Sequence, residues 1–100
     1  METKIENKGG LTIIRVSGRL DTVNSGEFEK CIAPILQGEM NETNIDCSGL
    51  DYISSSGLRL FLMLYKVSVE KKVCITITGM KPEVKSVFDI TGFTKLFLFG

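Results

Sequence analysis

Asn44-Ile45-Asp46-Cys47-Ser48-Gly49-Leu50-Asp51-Tyr52-Ile53-Ser54-Ser55-Ser56-Gly57-Leu58-Arg59 runs a short strand-like segment into three consecutive hydroxyls at the head of a strongly apolar helix. Residues 44 to 47 read as a short central strand, despite the weak strand preference of Asn and Asp. From Gly57 to about Lys71, Leu58, Leu60, Phe61, Leu62, Met63, Leu64, Tyr65, Val67 and Val69 nearly encircle the helix, so little solvent-facing surface is expected. Arg59, Met63, Lys66 and Glu70 recur at helical spacing and define a narrow polar face. Met63 then either lies exposed beside Arg59, as suits a partner surface, or fills a gap at the core edge. A helix start carries unpaired N–H groups and partial positive charge, so a serine there caps the helix or accepts phosphate with little strain.

Upstream, residues 4 to 8 and Leu11-Thr12-Ile13-Ile14-Arg15-Val16-Ser17 flank Gly9-Gly10, which predicts an antiparallel hairpin. Gly18-Arg19-Leu20-Asp21-Thr22 reads as a turn, and Asn24 with Glu27 three residues on resembles a capping box. Phe28, Cys31, Ile32, Ile35 and Leu36 form one apolar stripe, with Pro34 predicting a kink or early stop and Gly38 a plausible end. Residues 39 to 43 form a polar connection.

Downstream, Val73-Cys74-Ile75-Thr76-Ile77-Thr78 is the clearest strand, and its alternation with helices predicts parallel pairing through right-handed crossovers. Pro82 suits the first turn of a last helix, Val84, Val87 and Phe88 supply its buried stripe, and Gly92 fits its C-terminal cap. Leu96-Phe97-Leu98-Phe99 ends the chain as a short strand or docked tail. The expected fold class is α/β: a single domain over residues 1 to 100 with a mixed sheet of about four to five strands and helices packed on it.

Composition narrows the function. Lys plus Arg equal Asp plus Glu at 12 each, which removes the electrostatic argument for nucleic acid or an anionic membrane. The N-terminus Met1-Glu2-Thr3-Lys4-Ile5 lacks a signal-like pattern and no run is long enough to span a bilayer, so a cytoplasmic location is expected. Cys31, Cys47 and Cys74 are widely spaced among apolar neighbours and read as reduced core thiols. Histidine is absent, which argues against a metal site and against triads that need imidazole as base; no cofactor and no enzymatic activity are expected. The serine junction has neither the Gly-x-Ser-x-Gly elbow nor the glycines and Lys of a phosphate-binding loop. Capping, phosphorylation and small-anion binding stay open on spacing alone.

Gly18-Arg19-Leu20-Asp21, then Asp46 to Leu58, then Val84-Lys85-Ser86-Val87-Phe88-Asp89-Ile90-Thr91-Gly92 together resemble the STAS family in order and spacing over nearly the whole chain. That family includes bacterial anti-sigma-factor antagonists and the cytoplasmic domains of sulfate transporters, and this lone-domain length resembles the antagonist branch. The resemblance implies a module that binds an anti-sigma factor of the serine-kinase type when unmodified and lets go once phosphorylated, with a phosphatase as a further partner. The family motif reads Asp-Ser-Ser/Thr-Gly, with the first hydroxyl modified, which implies Ser55; Ser54 stands here in the Asp place. Asp21, Ser54, Ser55, Ser56, Gly57, Leu58, Arg59 and Met63 are the expected partner-binding residues. The alternative is an anion- or nucleotide-binding STAS module, or a small cytosolic subunit of a transport assembly.

Overall fold

The computed structural model describes residues 1–38 and 40–100. Strands β1 (Glu2–Lys8) and β2 (Leu11–Leu20) form the hairpin that Gly9-Gly10 predicts, paired antiparallel with Ile5 opposite Ile14. Helix α1 (Ser25–Gln37) follows, then β3 (Glu42–Ile53), α2 (Ser55–Lys71), β4 (Ile75–Thr78), α3 (Pro82–Thr91) and a final strand β5 (Leu98–Phe99). The sheet order is β1-β2-β3-β4-β5, with every pair after the hairpin parallel. Such a sheet demands a crossover between successive strands, and the helices supply it.

Pairing carries one apolar row across all five strands: Ile5, Ile14, Ile45, Ile77 and Phe99. Ile14, Ile45 and Ile77 are fully buried beneath Phe28 and Ile32 of α1, Leu60, Phe61 and Leu64 of α2, and Val84 and Phe88 of α3. Phe61 is the knot of this core: its ring centroid lies 5.9 Å from Phe28, 5.4 Å from Phe88 and 6.3 Å from Phe97. The neighbouring row on the other face is Lys4, Arg15, Asp46 and Thr78, which is polar and partly solvated. There Arg15 pairs with Glu6 and lies 3.6 Å from Asp46. This one-sided burial explains how Asn44 and Asp46 sit in a central strand: their side chains face the open side, while Ile45 and Cys47 face the core.

Several expectations need correction. The strand at residues 44 to 47 extends from Glu42 to Ile53, because β2 also continues, through the expected turn, to Leu20. Two register shifts, between Arg15 and Ser17 and between Gly18 and Arg19, absorb the irregularity, and Gly18 takes a left-handed φ of 86° at the second. Of the polar connection, Glu39 lies outside the described residues, whereas Met40 and Thr43 are buried. Pro34 does not stop α1; it falls in the last turn, and its carbonyl accepts the Gly38 N–H at 3.0 Å. Val73 and Cys74 precede β4 rather than belonging to it. Helix α2 does present a solvent face, formed by Ser55, Arg59, Lys66, Val69, Glu70 and Lys71. Gly92 caps α3 in the left-handed conformation, as expected.

The cysteines divide. Cys31 and Cys74 are exposed, so only Cys47 is a core thiol. Burial pushes the Cys47 thiol up to about 12, and the adjacent Asp46 carboxylate adds to the shift. An unfolded cysteine ionises near pH ~8.5. Above that value the unfolded chain releases a proton that the folded chain retains, so stability falls as pH rises towards the folded value. In urea unfolding, the native sequence is expected to lose about 2 to 3 kcal/mol more than Cys47→Ala between about pH 8 and about pH 10.5. Parallel pH profiles for the two proteins would contradict this.

Candidate functional site

The carboxyl ends of β2, β3 and β4 meet at one edge of the sheet, where loops to the following helices supply side chains without disturbing the core. The loop after β2 is built on Asp21. Its Oδ1 accepts the N–H groups of Val23 at 3.0 Å and Asn24 at 3.1 Å, and its own N–H donates to Asn24 Oδ1 at 2.9 Å. Asn24 Nδ2 reaches back to the Arg19 carbonyl at 2.6 Å. The expected capping box is therefore absent: the Asn24 side chain locks the loop, and the Asp21 side chain forms the turn.

The chain then ties this loop to the serine junction. Ser54 N–H donates to the Leu20 carbonyl at 2.9 Å, and Ser54 Oγ accepts the Gly57 N–H at 3.3 Å, with φ −92° and ψ 173°. Ser54 is thus the N-cap of α2. Asp and Ser are both good N-caps, so the departure from the family motif retains the capping hydrogen bond while removing a carboxylate. Ser55 follows as the first helical residue and is exposed; Ser56 is half-buried.

Gly57 is buried against the ends of both strands. A Cβ at this position would lie 2.8 Å from Leu20 Cγ and 2.9 Å from Ile53 Cγ1, well inside contact distance. Leu58 is also buried, at 6% exposure, so Gly57 and Leu58 seat the helix rather than offer side-chain surface. Arg59 is exposed, with its guanidinium 3.6 Å from Glu29 of α1 and donating to Met63 Sδ at 3.3 Å. Met63 is half-buried against the core, which matches its core-edge reading rather than full exposure.

Sequence reasoning passed over four neighbours. Arg19 stacks over the Tyr52 ring at 4.1 Å, the two residues being opposite each other in β2 and β3. Lys81, at the head of α3, pairs with Asp51 and so ties the third loop to the same edge. Val23 stands 94% exposed beside Asp21. An exposed Val in a tight loop was legible as a signal, whereas the Arg19–Tyr52 pairing depends on the two register shifts and was not. Two concavities of about 230 and 480 Å³ are lined by other residues, none of them between 54 and 59. Among the described residues, no group of three or more His, Cys, Asp or Glu side chains could hold a metal ion. No described helix is long and apolar enough to cross a membrane.

A sheet with antiparallel first strand, parallel remainder, three helices and a serine-capped helix start defines the class. The chain belongs to the STAS domain family, whose model matches residues 2–100. It is 28% identical over 83 residues to an anti-sigma-B factor antagonist of Staphylococcus epidermidis, covering 83% of this chain and 77% of the relative. Among solved structures, it resembles an anti-sigma factor antagonist from Mycobacterium paratuberculosis with a TM-score of 0.87 at 23% identity, over 98% of this chain and 83% of that one. It also resembles SpoIIAA in the unphosphorylated form, with a TM-score of 0.83 at 20% identity over 99% and 88% of the two chains. The phosphorylated form of the Bacillus protein gives 0.76 at 19% identity over 99% and 91%.

The steric argument at residue 57 has a direct consequence. Gly57→Ala is expected to lower stability by about 1 to 3 kcal/mol through overpacking against Leu20 and Ile53. Exposed Ser55→Ala should stay within about 0.5 kcal/mol of the native sequence. Urea unfolding of the two variants checks both; a neutral Gly57→Ala would contradict the close seating of α2.

Proposed function

We propose that this chain is an anti-sigma-factor antagonist. Unmodified, it binds an anti-sigma factor of the ATP-binding serine-kinase type through the edge formed by Asp21, Ser54, Ser55, Ser56 and Arg59, and so frees a sigma factor. Phosphorylation of Ser55 by that partner ends the complex, and a phosphatase restores it. Nucleotide belongs to the partner, and the chain works in the cytoplasm. The observation that carries this reading is the position of Ser55: exposed, first in its helix, and spared from capping because Ser54 makes that hydrogen bond. The antagonist names of the relatives support it.

The charge change accounts for the switch. A phosphate adds about −1.5 to −2 charge units near neutral pH, where a neutral hydroxyl stood. Within the domain, the dipole and free N–H groups of α2 offset part of that charge. A docked partner instead meets a desolvated dianion at a surface that already carries Asp21 and Asp51, and desolvation of an unpaired charge is costly. A penalty of about 3 kcal/mol weakens binding by roughly two orders of magnitude. The similarity to SpoIIAA in both its phosphorylated and unphosphorylated forms suits a modification that leaves the scaffold in place. A module that binds nucleotides or small anions is the weaker reading, since the two concavities are lined by residues outside 54 to 59.

Incubation with the anti-sigma kinase and ATP, followed by phosphosite mapping and titration calorimetry, checks the proposal. Phosphate is expected on Ser55, and both the phosphoprotein and Ser55→Asp should bind the kinase at least about tenfold more weakly. No phosphate on residues 54 to 56, together with undiminished binding by Ser55→Asp, would overturn it.

A further inference from the structure

Resting on the reading that Ser55 receives phosphate, we propose that Arg59 is the intramolecular receptor of that phosphate, and that it reaches it by abandoning Glu29, so that modification of α2 also bares a carboxylate on α1. Residues 55 and 59 are separated by four positions on α2, both are exposed, and residues so spaced lie one above the other on a helix surface. In the unmodified protein the guanidinium bridges the two helices, 3.6 Å from Glu29 Oε1, with side chains 56% and 44% exposed. An ion pair so open to water is weak. A phosphate offers more charge and three acceptor oxygens that match the guanidinium fork, so it outcompetes a single solvated carboxylate.

The other cations at this edge lie on different elements, and Arg59 alone among the described cations stands one helical turn beyond residue 55 on α2. Arg19 lies over the Tyr52 ring at 4.1 Å, and Lys81 pairs with Asp51. The loop facing Ser54 contributes Asp21, a carboxylate, which repels phosphate rather than receiving it. Arg59 also holds no buried partner, since its second contact is the Met63 sulfur at 3.3 Å. Once Arg59 has turned, the added negative charge is shared between residue 55 and residue 29. The repulsive surface then covers the α1–α2 face rather than a single helix start. Arg59 is thus a positioning residue that sets how far a phosphate at residue 55 is felt.

The test uses the full chain with phosphoserine inserted at position 55 during translation, which requires neither kinase nor partner. A ³¹P titration reads the second phosphate ionisation, ordinarily near pH ~6. In Arg59→Gln that ionisation is expected to move up by about half a unit, the scale on which one solvated opposite charge acts, and Arg59→Lys should restore most of the difference. A structure of the phosphoprotein should place the guanidinium on the phosphate and away from Glu29. Unchanged ionisation in Arg59→Gln, or a phosphoprotein with native Arg59 whose guanidinium stays on Glu29, would overturn the inference while leaving kinase transfer to Ser55 untouched. Conversely, an intact Arg59 effect with no kinase transfer would overturn the antagonist reading alone.

Discussion

The structure depends on the contact between the first turn of α2 and the ends of β2 and β3. Gly57 allows the helix backbone to settle onto Leu20 and Ile53, and the Ser54 N–H locks the register through the Leu20 carbonyl. With that contact fixed, Ser54 points back to cap the helix, Ser55 points out, and Leu58 and Phe61 point into the core. A change of even one methyl group at residue 57 acts on both the core and the exposed serine, because the same turn builds both.

The same geometry separates signalling from stability. The site lies on the rim, where Asp21, Asp51, Lys81 and Arg59 interact through solvated contacts, while the core is knotted by Phe61 beneath it. Surface ion pairs are weak and rearrange readily; packed aromatic cores do not. A charge added at residue 55 therefore redistributes rim pairs without repacking the interior. Ser rather than Asp at residue 54 fits this division, since it keeps the cap and places no carboxylate beside the hydroxyl proposed to receive phosphate.

Much of this was legible in the sequence, for reasons visible in particular residues. Gly9-Gly10 between branched segments gave the hairpin, Pro82 and Gly92 bounded α3, and Ser54 to Gly57 marked the helix start. The true length of β3 was hidden because Ser48, Gly49 and Asp51 look like turn residues; Gly49 pairs with Ser17 of β2, while Ser48 and Asp51 are carried within the strand where the register shifts. Asn24 carried the local pattern of a cap, yet a tertiary alternative, the Arg19 carbonyl, claimed its side chain. Cys31 fitted the apolar stripe of α1 but lies past its margin, and the outer face of α2 was misjudged because Val69 counts as apolar while standing 57% exposed. The pairs Glu29–Arg59 and Asp51–Lys81 join residues 30 positions apart, so no local pattern announces them.

The turn seating α2 is expected to stay closed whichever charge residue 55 carries. Amide hydrogen exchange at Ser54, read together with the methyl resonances of Leu20 and Ile53 before and after phosphate is placed on Ser55, tests it most directly. Equal protection of the Ser54 N–H and unmoved methyl resonances are expected in the two forms. Exchange at Ser54 accelerated to that of a frayed helix end, with both methyl groups displaced, would contradict it.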